Sequence, residues 1–146
     1  MFMKKMISLF AILSIMLGCK KKQEPIPIGM SFKYANTPWI ATNYHAKIDS
    51  GATGLSLFIF SSDTTYSRSF DEFNISIYHY NKASVYYLTM PDTVSAFFLD
   101  YNIEYQAYRG AIIITQISAT NVQGTFNCIM TGGLTISNGQ FNIPIQ

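Results

Sequence analysis

Cys128 and the two histidines, His45 and His79, are among the side chains of this 146-residue chain that could do chemistry. A thiolate can act as a nucleophile beside a histidine base, and Cys and His are common ligands of zinc. Neither histidine, however, has a Cys, His or carboxylate partner at a recognisable motif spacing. Cys128 shares one face of a period-two pattern with Phe126 and Met130, which predicts a small buried hydrophobe. The sequence therefore predicts no catalytic residue, no metal site and no cofactor.

The acidic residues offer no catalytic pair either. Asp71 and Glu72 are adjacent, so a strand would point them to opposite faces of a sheet. Asp100 and Glu104 flank a predicted turn, where we expect surface charges. Acid–base catalysis by two carboxylates needs both groups at one reacting bond. We therefore expect that the protein is not an enzyme.

A predicted hairpin brings one histidine and several tyrosines together. If residues 73–80 and 85–88 pair with each other, His79 faces Tyr86 at the edge of the core. The tyrosine hydroxyl would hydrogen-bond the histidine there, so His79 is expected to be structural and not a ligand or a catalytic base.

The same register predicts a row of tyrosines. Tyr78 faces Tyr87 on the outer surface, and Tyr80 lies two residues farther along, about 7 Å away. Such a row can stack on sugar rings or anchor a protein partner. The alternative is that a second sheet covers Tyr78, Tyr80 and Tyr87, which would make them ordinary core residues.

The composition is apolar and rich in aromatic residues. Apolar residues make up 49% of the chain and charged residues 12%, against about 25% charged in ordinary globular proteins. The 11 phenylalanines and 10 tyrosines are enough for one real core and exclude a disordered chain. From residue 29 onward, five basic and seven acidic residues leave a net charge of −2. Without a basic stripe, nucleic acid is not expected as a partner.

Beyond Gly29 the hydrophobic pattern has a period of two, as in Phe-Asn-Ile-Ser-Ile-Tyr-His-Tyr at 73–80. Turn sequences divide the chain into short segments rich in β-branched and aromatic residues. Turns spaced about 8 to 12 residues apart are typical of all-β proteins. We predict a single antiparallel β-sandwich or flattened barrel of about 8–10 strands over residues 30–146. Besides 73–80, the predicted strands are 31–34, 39–46, 55–61, 85–88, 94–101, 104–108, 111–118, 121–130 and 134–145.

The C-terminal segment predicts two rows of inward-facing residues, separated by a hairpin turn at Asn138-Gly139. These rows and the preceding strands together define the expected core. Its members are Phe73, Ile75, Ile77, Ile112, Ile114, Phe126, Cys128, Phe141 and Ile143.

The N-terminal segment has the pattern of an export signal. Lys4 and Lys5 precede twelve uncharged residues, fewer than the roughly 20 that span a membrane. The run ends in Ile-Met-Leu-Gly-Cys, which resembles the lipobox of bacterial lipoproteins. The resemblance implies that the chain is cut before Cys19 and that lipid is attached to its thiol and its new amino group. An uncleaved signal anchor and an ordinary secreted protein are the alternatives.

The lipobox also implies how the chain is divided. The three parts are a signal peptide at 1–18, the lipidated Cys19 with a tether at 19–29, and the β domain at 30–146. A single acyl chain binds a membrane only marginally, so several chains on Cys19 would make the attachment lasting. Pro25 and Pro27 favour an extended spacer. Lys20 stands where an Asp would retain such a lipoprotein in the inner membrane, so the resemblance implies the outer membrane, at either face.

A wider resemblance rests on four short motifs. The lipobox, Trp39-Ile40-Ala41, Gly124-Thr125-Phe126 and the closing Ile-Ser-Asn-Gly-Gln-Phe-Asn-Ile at 136–143 together resemble a group of small lipoproteins of Bacteroidota. The domain of that group has no known function. The resemblance therefore implies a β fold and no mechanism.

These observations predict a non-catalytic binding or assembly module, anchored by lipid at the outer membrane and facing a protein or glycan partner. The alternative is a carbohydrate- or small-ligand-binding domain accessory to an uptake system. The sequence leaves both open.

The lipid anchor gives the first testable prediction. Replacing the acylated thiol, Cys19→Ala, abolishes palmitate labelling in cells and leaves uncleaved precursor or mislocalised protein. Cys128→Ala is the matched control, because it removes the other cysteine and leaves the lipobox intact. Palmitate labelling that persists in Cys19→Ala contradicts the prediction.

Overall fold

The computed structural model describes residues 25–52, 54–64, 71–80, 82–89 and 93–146. The predicted signal peptide, Cys19 and the first part of the predicted tether lie outside the described residues. Within the described ranges, no helix is long and apolar enough to cross a membrane.

The described residues form ten β-strands and one short 3₁₀ turn, so the prediction of an all-β fold is confirmed. The turn, Thr131–Gly133, joins the last two strands. The strands are β1 (Gly29–Tyr34), β2 (Thr37–Ile40), β3 (Asn43–Gly51), β4 (Gly54–Asp63), β5 (Asp71–Ile77), β6 (Val85–Tyr87), β7 (Val94–Asp100), β8 (Ile103–Ile117), β9 (Asn121–Met130) and β10 (Thr135–Pro144).

The strands pair in one curled antiparallel sheet of order β2-β1-β10-β9-β8-β7-β5-β4-β3, with β6 beside β8. Its two edge strands, β2 and β3, are consecutive in the chain. Between them, the Ala41 amide donates to the Met30 carbonyl and the Thr42 amide donates to the Ser62 carbonyl, each at 2.9 Å. The chain therefore crosses here from one edge of the sheet to the other. The sheet curls into a half-barrel, consistent with the predicted sandwich or flattened barrel.

Aromatic rings fill the concave side of the sheet. Phe73 of β5 stacks on Phe126 of β9, with ring centroids 4.9 Å apart and planes 13° apart. Phe32 of β1 lies 5.0 Å from Phe73 and 4.5 Å from Trp39 of β2. All nine predicted core residues are at most 3% exposed, so the prediction of the core is confirmed.

Two glycines on β9 and β10 make room for the largest of these rings. In the β9–β10 register, Phe126 faces Gly139 and Phe141 faces Gly124. A Cβ on Gly139 would lie 2.6 Å from the Phe126 ring, and a Cβ on Gly124 would lie 2.4 Å from the Phe141 ring. Each glycine is therefore required by the ring on the neighbouring strand.

The predicted hairpin turn at Asn138-Gly139 is wrong. β10 runs through both residues, with a register shift between Ile136 and Gly139 that marks a β-bulge. The chain reverses earlier, in the 3₁₀ turn, where Gly132 and Gly133 have φ values of 76° and 79°. The Asn-Gly pair suits the bulge instead. Asn138 adopts a left-handed φ of 53°, and Gly139 has no Cβ to collide with the ring of Phe126.

Two other strand boundaries differ from the prediction. Segment 39–46 is divided between β2 and β3, because the chain changes edges at 41–42. Segments 104–108 and 111–118 are one strand, β8, which carries two register shifts against β9. Gly110 allows this continuity, because it has a φ of 135° and a Cβ there would lie 2.2 Å from the Asn127 carbonyl oxygen.

The predicted hairpin between 73–80 and 85–88 is also wrong. β5 is a central strand paired with β4 and β7, so both of its edges are occupied. β6 pairs with β8 instead, and Tyr86 faces Ile112, not His79. The predicted turn between Asp100 and Glu104 is present, with positive φ at Tyr101 and Asn102 as in a type I′ hairpin.

The stacked core gives a stability prediction. Phe126→Ala or Phe141→Ala lowers the free energy of unfolding by about 3–5 kcal/mol, because each leaves a cavity in a filled interior. Tyr101→Ala removes an exposed ring and changes that energy by less than about 0.5 kcal/mol. Urea unfolding followed by circular dichroism measures both. Losses of similar size for the three variants contradict this packing.

Candidate functional site

The structure separates the three tyrosines of the predicted contact row. Tyr78 follows β5 and is 40% exposed, and Tyr87 on β6 is 63% exposed. Tyr80 is only 7% exposed and belongs to the core. The prediction that all three share one exposed face is therefore wrong. A role of Tyr87 as a contact residue stays a prediction.

The alternation of the strand fails at His79. This residue follows β5 in a turn and has a left-handed φ of 55°. In a continuous strand, Tyr80 would share the face of Tyr78. Instead the Tyr80 amide donates to the Leu55 carbonyl at 2.8 Å, and its ring lies 6.3 Å from that of Tyr86. Burial, and to a smaller extent the neighbouring Tyr86, raises the pKa of the Tyr80 hydroxyl.

A different set of rings forms a row on the convex, outer face of the sheet. Its members are His45 on β3, Phe60 and Phe58 on β4, and Tyr78. The ring centroids are 4.8 Å apart between His45 and Phe60, 6.4 Å between Phe60 and Phe58, and 5.8 Å between Phe58 and Tyr78. We call these four side chains the outer aromatic row.

Strand alternation and register build this row. On β4, Leu57 and Ile59 point inward and are fully buried, so Phe58 and Phe60 point outward. His45 is the direct partner of Phe60 in the β3–β4 ladder, which brings their rings into contact. Phe60 stays 38% exposed, so the row is open to solvent.

A cleft of about 250 Å³ adjoins the row at its His45–Phe60 end. The ladders explain its polar wall, because Asn43, Ser62 and Glu72 are neighbours across β3, β4 and β5, and Asn74 lies beside Phe60. The described residues that line the cleft are Asn43, His45, Phe60, Ser61, Ser62, Glu72 and Asn74.

Asn74 is the most buried polar side chain of the cleft wall after Ser61, with 8% of its surface exposed. The backbone amide of Ser61 donates to Asn74 Oδ1 at 3.3 Å, which fixes the side chain. Among the described residues, Asn74 Nδ2 has no hydrogen-bond partner. The cleft thus contains the fixed side-chain amide of Asn74, whose Nδ2 can donate a hydrogen bond to a ligand.

Among the described residues, few charges surround the row. Lys47, beside Phe58 in the register, forms an ion pair with Asp49 at 2.8 Å. Glu72 is the carboxylate in the cleft lining, whereas its neighbour Asp71 lies near Asp63 and Asp100. Asp71 and Glu72 therefore belong to different surroundings, as the sequence predicted.

The other chemistry-bearing residues lie away from the row. Cys128 is a free, buried cysteine, and burial raises the pKa of its thiol to about 12, which confirms the prediction of a small buried hydrophobe. His79 is exposed in the turn after β5. In the part of the chain that the structure describes, no three His, Cys, Asp or Glu side chains are placed to hold a metal ion.

Comparisons of the chain with family models, curated proteins and solved structures found no match.

Sequence reasoning missed His45, Phe58 and Phe60. The run Leu-Phe-Ile-Phe at 57–60 is apolar on both faces, which is the pattern of a strand buried on both sides. Two features of the sequence could have indicated an exposed face on this strand. Polar residues flank the run, at Ser56 and Ser61-Ser62, and the preceding strand carries a histidine. Only the β3–β4 register shows that this histidine lies on Phe60.

Asp71 sits among like charges. It faces Asp63 in the β4–β5 ladder, and its Oδ1 is buried without a partner among the described residues. Burial first, then Asp100 and Asp63, raises the pKa of the Asp71 carboxyl, and the backbone amide of Tyr101 partly offsets this. The folded state therefore favours the protonated carboxyl.

This raised pKa predicts a pH-dependent effect of Asp71→Asn. As pH rises above the ordinary value of 3.8, the unfolded chain ionises at Asp71 before the folded chain does, so the wild type loses stability. The variant avoids this loss, so it melts at a higher temperature than the wild type near pH 7. The difference in melting temperature fades as the pH falls towards 3.8 and below.

Thermal melts of the two proteins from pH 3 to pH 7 measure the effect, and Glu104→Gln, which replaces an exposed carboxyl in the same way, is the control. A difference that is independent of pH, or a less stable variant at pH 7, contradicts the assignment.

Proposed function

We propose that the protein is a lipid-anchored, non-catalytic binding domain of the outer membrane that contacts its partner through the outer aromatic row. The observation that carries the proposal is the row itself. Its rings lie on the convex face, whereas the concave face already has its own filled core. Aromatic side chains are enriched at binding interfaces, where they bury a large area.

The anchor supports a role close to the membrane. Six peptide steps separate Cys19 from Pro25, the first described residue, so covalent geometry limits that distance to about 20 Å. A lipid on Cys19 would therefore keep the domain beside the bilayer. Lys20, in place of a retaining Asp, supports the outer membrane.

The surroundings of the reactive groups support a non-catalytic role. Cys128 is buried in the core, and burial raises the pKa of its thiol, so the thiolate is strongly disfavoured. His45 stacks on Phe60 and His79 lies in the turn after β5. Neither stands beside a nucleophile in the geometry described.

Site-specific photo-crosslinking in intact cells tests the proposal. A photoreactive phenylalanine analogue replaces Phe60 in the row, and in a second strain it replaces Tyr101, an exposed ring in the β7–β8 turn. We expect a light-dependent adduct, with a protein or with a glycan, from position 60 and none from position 101. The same adducts from both positions, or none from position 60, contradict the proposal.

A further inference from the structure

We propose that the partner of the outer aromatic row is a neutral carbohydrate, with one sugar ring held in the adjoining cleft and its neighbours lying along the rings. This inference rests on the proposed function and specifies its ligand. Four observations carry it: the exposed area of the row, the arrangement of its rings, the fixed amide in the cleft, and the balance of charge.

The exposed rings of the row offer enough apolar surface for a sugar. Phe60 and Tyr78 are 38% and 40% exposed. An aromatic side chain presents about 200 Å² in all, so these two rings together offer roughly 160 Å². A sugar chain needs only a strip of apolar surface with polar groups beside it.

The rings are arranged as such a strip. Phe60 lies between His45 and Phe58, and its plane is within 23° of both. Tyr78 stands nearly perpendicular to Phe58, at 82°, and ends the row on that side. A pyranose ring has a face of C–H groups and a rim of hydroxyls, so it packs its face on aromatic carbon while its rim stays free to hydrogen-bond.

The cleft provides partners for that rim. Asn74 is nine-tenths buried, its Oδ1 is occupied by the Ser61 amide, and its Nδ2 remains available as a donor. Asn43 and Ser62 add groups that both donate and accept, and Glu72 adds an acceptor. The volume of about 250 Å³ is below the usual range for drug-sized ligands and suits one sugar ring.

The charges favour a neutral sugar over an acidic one. The described lining of the cleft contains the carboxylate of Glu72 and no lysine or arginine. Among the described residues, Lys47 lies beside the row and forms an ion pair with Asp49 at 2.8 Å. Among the described residues that line the cleft, no cation stands beside Glu72 to offset its repulsion of a phosphate or uronic acid.

Binding of the full-length protein, purified in detergent, to immobilised polysaccharides tests the inference. The neutral probes are galactomannan, xyloglucan and dextran, and the acidic probes are polygalacturonate and heparin. We expect binding to at least one neutral probe and weaker binding to both acidic ones. No binding to any of the three neutral probes, or a preference for an acidic one, overturns the assignment.

Variants at Phe60 show whether the aromatic face is responsible. Phe60→Leu keeps apolar bulk and removes the ring, so the dissociation constant on the neutral probe rises about tenfold. Phe60→Trp keeps a ring and binds at least as tightly as the wild type, which also guards against a Leu variant that folds poorly. Tyr101→Leu, an exposed ring outside the row, leaves binding unchanged. Equal binding by Phe60→Leu and wild type overturns the inference.

The two proposals fail in different ways. If position 60 crosslinks to a protein in cells and no polysaccharide binds, the row is a binding surface and the carbohydrate assignment is wrong. If position 60 gives no adduct and no polysaccharide binds, the proposed function is wrong as well.

Discussion

The stacking of Phe73 on Phe126 is the contact on which the curled sheet depends. These residues lie on β5 and β9, which are separated in the sheet by β7 and β8, and their rings meet across the concave side at 4.9 Å. Phe32 touches both rings, at 5.0 Å and 5.9 Å, and so ties β1 into the same cluster. A single sheet that covers its own concave face needs side chains long enough to reach across it, and stacked aromatic rings supply that reach.

That requirement explains the motifs that are most conspicuous in the sequence. Gly124-Thr125-Phe126 on β9 runs antiparallel to Gly139-Gln140-Phe141 on β10, so each glycine lies under the phenylalanine of the other strand. The two motifs are one packing device, repeated in opposite directions. Gly124 was predicted inside a strand, whereas Gly139 follows an asparagine, and Asn138-Gly139 was predicted as a turn for that reason. The residues on which the resemblance to small lipoproteins partly rests therefore serve the fold and say nothing about a ligand.

Much of the core could be predicted because strand alternation is local. Phe73, Ile75 and Ile77 alternate with polar neighbours, and that pattern alone assigns them to the inside. The predicted row of tyrosines needed more: a partner strand for β5 and an unbroken alternation past Ile77. Both are long-range properties, set by β4 and β7 pairing with β5 and by the left-handed turn at His79. Phe58 and Phe60 were missed for the opposite reason, because β4 is apolar on both faces and alternation has no contrast to show there.

The described end of the tether contacts β3, the strand that carries His45, and β10. Gly29, at the start of β1, lies against the ring of Tyr44, the residue between Asn43 and His45 on β3. Just before Gly29, the carbonyl of Ile26 accepts a hydrogen bond from Asn142 Nδ2 at 2.9 Å, which fixes the described end of the tether on β10. The chain therefore enters the domain beside β10 and the core-facing side of β3, opposite to the face that carries Asn43 and His45. A lipid on Cys19 would therefore hold the domain to the membrane through the start of β1, while the outer aromatic row lies on the other face of the sheet.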